Sequence, residues 1–108
     1  MEPALNRVET QDNTFFQAQS MARIIVYHYS PAARVPSLTP AQCAAIRQKY
    51  AAVCRAYPGA NLRGVFADAN GQGICEWEAP SVAVVNEIIT QVDGHPPIDG
   101  AVLVKQII

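Results

Sequence analysis

Two histidines and a pair of glutamates are the residues with the clearest chemistry in this sequence. His28 lies between two tyrosines, His95 lies in a Gly-His-Pro-Pro stretch, and Glu76 and Glu78 are two residues apart. On a strand, a spacing of two places both carboxylates on the same face. An imidazole beside two carboxylates would suit a divalent metal ion or proton transfer. The sequence therefore predicts His28 as the first metal ligand, Glu76 and Glu78 as supporting carboxylates, and His95 as an outlying ligand.

The same four residues have a structural interpretation, which the sequence leaves open. In that interpretation His28 is a half-buried strand residue that hydrogen-bonds a neighbour, and His95 is a loop residue beside two prolines. Glu76 and Glu78 would then line a polar rim of the sheet, opposite a basic side chain.

Aromatic residues close to His28 indicate a further possibility, an apolar pocket. Trp77 is the only tryptophan of the chain, and it is expected in the core or in the wall of a pocket. Tyr27 and Tyr29 flank His28 in the sequence. In an enzyme that needs no metal, His28 would be the base, and Tyr27, Tyr29 and Trp77 would shape the pocket.

The composition indicates one folded domain and argues against two classes of partner. Of 108 residues, 50% are hydrophobic and 16% are charged, which is typical of a chain with a core. Eight basic against nine acidic residues give a net charge of −1. This balance argues against nucleic acid and anionic membranes as partners. The apolar runs are too short to span a bilayer, and the first residues lack the apolar segment of a signal peptide.

The three cysteines indicate a reducing compartment, and hence a cytoplasmic protein. Cys43, Cys54 and Cys75 are odd in number and show no Cys-x-x-Cys spacing. We expect them to be small buried hydrophobic residues. Cys54, which precedes Arg55, is the candidate for a reactive thiol.

The elements that must position these residues follow from periodicity and turn signals. Thr39-Pro40 is typical of a helix start, Pro58-Gly59 of a helix end, and Asn70-Gly71 of a hairpin turn. The helix between Thr39 and Pro58 is predicted to carry one apolar stripe, formed by Cys43, Ile46, Tyr50, Val53 and Tyr57. A second helix is predicted to begin at Pro80-Ser81. The predicted strands cover residues 23–29, 62–67, 73–78 and 101–108.

This order of elements predicts a ferredoxin-like α+β fold, βαββαβ, over residues 21–108. Right-handed crossovers place both helices on one face of a four-stranded antiparallel sheet. The other face is left uncovered, and the first strand is apolar on both sides, so we predict a homodimer. Residues 1–20 are polar and form an arm or a flexible tail, whose Phe15-Phe16 pair would contact a neighbouring subunit or a partner protein. In one interpretation the protein is a non-catalytic accessory subunit that docks through this arm.

Two segments resemble those of a known family. Residues 73–81 (GICEWEAPS) and 94–99 (GHPPID) look like a family of small ferredoxin-like domains that are described as nickel-binding or of unknown function. The resemblance implies a homodimer and a small binding protein that holds Ni²⁺ or another divalent metal through histidines, here His28 and His95. The wider dimeric α+β-barrel superfamily contains small monooxygenases, isomerases and polyketide cyclases, which implies an enzyme as the alternative.

Overall fold

The computed structural model describes residues 21–108. The arm predicted over residues 1–20, with its Phe15-Phe16 pair, lies outside the described residues. The chain forms strand β1, a short 3₁₀ helix, helix α1, strands β2 and β3, helix α2 and strand β4. Their bounds are, in that order, Ala22–His28, Pro31–Ala33, Pro40–Cys54, Asn61–Ala67, Gly73–Ala79, Val82–Asp93 and Ala101–Val104.

The four strands form one antiparallel sheet in the order β2-β3-β1-β4. This order and the two helices confirm the predicted ferredoxin-like α+β fold. Ile24 pairs with Trp77 and Val26 pairs with Cys75, so these four side chains share the face that the helices cover. The opposite face is here called the open face. Its residues include Ile25, Tyr27, Phe66, Ile74, Glu76, Glu78 and Val102.

The core lies between the covered face of the sheet and the two helices. Helix α2 contributes its buried apolar side to this core. Helix α1 contributes only partly buried residues, most of them near its C-terminal end. The buried core residues are Ile24, Val26, Ala60, Cys75, Trp77, Ala79, Val85, Ile88 and Ile89.

Both helices begin where the sequence predicts, because their first turns are capped. The Thr39 side chain accepts the Gln42 N–H at 3.1 Å, and the Gln42 side chain accepts the Thr39 N–H at 2.9 Å, so a capping box precedes α1. The Ser81 side chain caps α2 by accepting the N–H of Val84 at 3.2 Å. Gly94 ends α2 in the left-handed conformation, with φ of 86°.

Two sequence predictions need correction. The last strand was predicted over residues 101–108, but β4 ends at Val104. The strand that pairs with β4 is β1, which begins at Ala22, and the last pair between them is Arg23–Val104. Because β1 has only one residue beyond this pair, residues 105–108 have almost no strand to pair with. The expectation that every cysteine is buried is also wrong, because Cys43 is exposed and Cys54 is only half-buried.

The exposure of Cys43 reflects the position of helix α1. Cys43 and Ile46 belong to the apolar stripe predicted for this helix, yet no residue of α1 is fully buried. The contacts of α1 with the core are made by Tyr50, Val53 and Cys54, all in its C-terminal third. The N-terminal part of the helix therefore lies away from the sheet and leaves a space beneath it.

Candidate functional site

The space beneath α1 is a groove of about 500 Å³ between this helix, the covered face of the sheet and the C-terminal end of α2. We call it the groove. Both histidines line it, together with Tyr50 and Asp93. The rest of its wall is largely apolar and includes Val26, Leu38, Ile46, Val65, Cys75 and Trp77. Volume and lining are those of a site for a small molecule.

His28 is held in a fixed orientation at the wall of the groove. It is the last residue of β1, on the same face as Ile24 and Val26. Its Nδ1 lies 2.8 Å from the carbonyl oxygen of Ala33, in the 3₁₀ helix that follows β1. A carbonyl oxygen can only accept, so Nδ1 donates, and in the neutral ring Nε2 is left as the basic nitrogen.

Cys75 lies next to His28 and is a thiol rather than a thiolate. Its Sγ is 3.5 Å from His28 Nε2, and the indole N–H of Trp77 donates to the same sulfur at 3.2 Å. Burial raises the pKa of Cys75 to about 11. The protonated sulfur is therefore a weak hydrogen-bond donor to the imidazole and a poor nucleophile at neutral pH.

Tyr50 closes the groove on the side of the helices. Its hydroxyl lies 3.3 Å from both carboxylate oxygens of Asp93, at the end of α2, and its ring packs edge-on against Trp77 at 5.6 Å. Burial and the charge of Asp93 raise the pKa of Tyr50 well above its ordinary value. The hydroxyl is therefore neutral and acts as a donor.

Asp99 accepts hydrogen bonds from the two residues that follow His28. Its carboxylate accepts the backbone N–H of Tyr29 at 2.6 Å, the N–H of Ser30 at 2.7 Å and the Ser30 hydroxyl at 2.6 Å. This contact joins the start of β4 to the turn that carries the Ala33 carbonyl. Asp99 therefore positions the hydrogen-bond partner of His28 without touching the imidazole.

The Asp99 contact predicts a pH-dependent loss of stability in acid. The Ser30 hydroxyl, and then the two backbone N–H groups, hold the pKa of Asp99 below its ordinary value. The stabilisation by the ionised carboxylate is fully present above the pKa of Asp99 in the unfolded chain, which is about 4. It is lost as the pH falls through the lower pKa that Asp99 has in the folded protein. We expect Asp99→Asn to lower the urea midpoint at pH 7, and the difference from the wild type to shrink as the pH falls to about 2.

Ser30→Ala is the matched variant, because it removes the hydroxyl donor and keeps both backbone donors to Asp99. Its midpoint at pH 7 should lie between those of the wild type and Asp99→Asn. A wild-type advantage over Asp99→Asn that is the same from pH 7 to pH 2 would contradict an ionised carboxylate in this role.

The structure does not bring the predicted metal ligands together. His28 faces the helices, whereas Glu76 and Glu78 lie on the open face. The residue that pairs with His28 is Gly73, which shares its face. Because Glu76 and Glu78 are three and five positions from Gly73, alternation along the strand places both on the opposite face. Glu76 is 3.2 Å from Arg23 Nε, and Glu78 is 3.7 Å from a guanidinium nitrogen of Arg63.

Within residues 21–108 no group of three His, Cys, Asp or Glu side chains is placed to hold a metal ion. His95 is exposed at the mouth of the groove, with its Nδ1 2.8 Å from the Pro96 carbonyl oxygen. The residues of one chain thus do not fit the metal site that was predicted from His28, His95, Glu76 and Glu78.

The predicted aromatic pocket is divided between the two faces of the sheet. Trp77 is 1% exposed and packs on the covered face, at the floor of the groove. The rings of Tyr27 and Tyr29 stack on each other, with centroids 5.9 Å apart, and Tyr27 belongs to the open face. Trp77 and Tyr27 both line the groove beside His28, whereas Tyr29 does not.

Sequence reasoning missed Tyr50, Asp93 and Asp99 as members of the site. Tyr50 was identified only as one residue of the apolar stripe of α1, and Asp93 lies 43 residues further along the chain. Asp99 and Ser30 are 69 residues apart. No local spacing connects these pairs, and only the register of the whole sheet brings them together.

No family model, curated protein or solved structure matches this chain. No helix within the described part of the chain is long and apolar enough to cross a membrane. The assignment of a function accordingly depends on the geometry of the groove.

Proposed function

We propose that the groove binds a small molecule with an apolar body, and that His28 exchanges a proton with it. The observation that carries this proposal is the position of the His28 imidazole. It lies at the wall of an apolar groove of about 500 Å³, with Nδ1 fixed by a carbonyl oxygen. In the neutral ring with Nδ1–H donating, a ligand beside Nε2 would meet the nitrogen that can accept a proton, as general acid–base chemistry requires. The proposal corresponds to the metal-independent enzyme interpretation of the sequence.

The other polar groups of the groove support the same chemistry. The Tyr50 hydroxyl is neutral and lies on the side of the helices, and the Cys75 thiol lies beside the imidazole. The polar end of a ligand would thus lie near these side chains, whereas its carbon skeleton would rest against Trp77 and Ile46. This combination of apolar walls and a few polar groups is what orients a ligand in a pocket.

We also propose that the protein forms a homodimer through its open face. Large apolar side chains there are poorly covered within one chain: Phe66 is 57% exposed and Val102 40%, and Tyr29, whose ring stacks on that of Tyr27, is 50% exposed. Ile25, Tyr27 and Ile74 are half-buried and continue the same surface. An exposed apolar patch of this kind is typical of an interaction surface. A second copy of the chain offers the same patch, as a two-fold symmetric contact needs.

The groove proposal is tested with N-phenylnaphthylamine, a neutral apolar dye whose fluorescence rises in apolar surroundings. We expect saturable binding to the full chain with one site per chain. The chain contains only two histidines, so their imidazole proton resonances can be assigned with a His28→Gln variant. The His28 resonances should shift as the dye binds, because the dye would lie beside the ring.

A pair of adjacent substitutions locates the dye. Val65 lines the groove and is 49% exposed, whereas Phe66 lies on the open face. Val65→Asp should weaken dye binding about tenfold, since a carboxylate would have to be buried beside the dye. Phe66→Asp should leave binding at the groove unchanged. Absence of binding, or loss of binding in Phe66→Asp alone, would overturn the proposal.

A further inference from the structure

The groove has a basic rim. Arg34, Arg47 and Lys49 line it, against the single carboxylate of Asp93. All three basic residues are exposed. The whole chain, by contrast, has a net charge of −1. The rim therefore carries more positive than negative charge, although the chain as a whole does not.

The basic side chains of the rim have no acidic partner within the described chain. Within residues 21–108, the ion pairs are those of Arg23 with Glu76 and of Arg63 with Glu78, both involving open-face carboxylates. Asp93 accepts a hydrogen bond from Tyr50 and lies beyond ion-pair distance of the rim. Cations at the mouth of a low-dielectric cleft attract an anion more strongly than cations on an open surface do.

The interior of the groove suits an apolar group rather than a charged one. Beneath the rim the walls are apolar, formed by Leu38, Ile46, Val65 and Trp77 among others. An ion that is hydrophilic throughout, such as phosphate, would leave these walls in contact with water. A ligand that satisfies both parts of the groove has an apolar body for the interior and one anionic group for the rim.

We infer that the ligand of the groove is a small amphipathic anion, an aromatic or aliphatic carboxylate, whose charged group is bound at the rim by Arg34, Arg47 and Lys49. This inference rests on the proposed function and adds the chemical class of the ligand. It also sets the orientation of the ligand, with the anionic end at the rim, near the middle of α1, and the apolar end toward Trp77.

The test compares two dyes that differ by one anionic group. Anilinonaphthalene sulfonate carries a sulfonate on the skeleton of N-phenylnaphthylamine, so their dissociation constants isolate the contribution of the charge. We expect the sulfonate to bind the full-length protein about tenfold more tightly. Raising NaCl from about 0.05 to about 0.5 M should weaken the binding of the sulfonate and leave that of the neutral dye unchanged.

Two substitutions in and directly after α1 test whether the tighter binding of the sulfonate is due to the basic residues of the rim. Arg47→Gln should weaken the binding of the sulfonate about threefold to tenfold more than it weakens the binding of the neutral dye. Arg55→Gln is the matched control, because Arg55 directly follows α1 and does not line the groove. It should change neither dissociation constant.

The outcomes separate the two proposals. The inference about the anion is overturned if the neutral dye binds but the sulfonate binds no more tightly. It is also overturned if Arg47→Gln and Arg55→Gln affect the binding of the sulfonate equally. In both cases the proposed function stands. If neither dye binds, the proposed function itself fails.

Discussion

Phe66→Asp should convert the protein from a dimer to a monomer. The Phe66 side chain is 57% exposed in the single chain and lies on the open face, which we propose as the dimer interface. Burial of such a side chain contributes about 1.5–3 kcal/mol. In a two-fold symmetric interface every substitution occurs twice, so the dissociation constant of the dimer should rise about 100-fold to 10,000-fold.

The folded monomer should tolerate this substitution. Phe66 lies on the edge strand β2, and its ring lies over Gly64 rather than in the core. The measurement is sedimentation velocity of the full chain over a range of concentrations, with circular dichroism as the test of folding.

Val65→Asp is the matched control for the dimer, as it places the same charge one residue away on the opposite face of β2. It should leave the sedimentation coefficient unchanged while it weakens dye binding. A wild-type protein that sediments as a single chain at all concentrations would refute the dimer. A Phe66→Asp protein that still dimerises as well as the wild type would place the interface elsewhere.

Gly73→Ala should destabilise the fold strongly. An alanine Cβ at the start of β3 would lie 2.7 Å from the Ala67 Cα and 2.8 Å from the Phe66 carbonyl carbon, both backbone atoms of β2. A side chain could rotate away from such a contact, but a paired strand cannot. We expect the free energy of unfolding to fall by about 3 kcal/mol or more, at or above the upper end of the range for overpacking.

Gly100→Ala is the control for the loss of glycine flexibility alone. Gly100 has φ of 87°, but a Cβ there would meet no atom within 4 Å. Its substitution should cost about 1–2 kcal/mol, the strain of a left-handed alanine. Urea unfolding followed by circular dichroism measures both variants. Equal losses would show that β2 and β3 can separate to admit the methyl group.

The fold was largely predictable because its signals are local. The capped start of α1 at Thr39, the Asn70-Gly71 turn and the alternation around Trp77 each depend on a few consecutive residues. The exposed N-terminal half of α1 was not predictable in this way. Its apolar stripe through Ile46 is typical of a packed helix, and only the assembled sheet shows that a groove lies beneath it.

The site was harder to predict because it depends on register. The alternation rule correctly placed Glu76 and Glu78 on one face, but the face of His28 relative to them depends on which residues of β1 and β3 pair. A shift of one residue in that pairing would have placed His28 on the same face as Glu76 and Glu78. The hydrogen bond of Tyr50 with Asp93 depends in addition on how two helices pack, which no spacing in the sequence encodes.

The weak attachment of α1 has a consequence for ligand selectivity. The first turns of this helix are held by the capping box of Thr39 and Gln42 and by their own backbone hydrogen bonds, and no side chain there is buried. Moving them outward would break few apolar contacts, so the groove can widen at little energetic cost, whereas the floor at Trp77 and Cys75 is rigid. We therefore expect the protein to discriminate strongly between the chemical groups that reach His28 and weakly between ligands of different bulk.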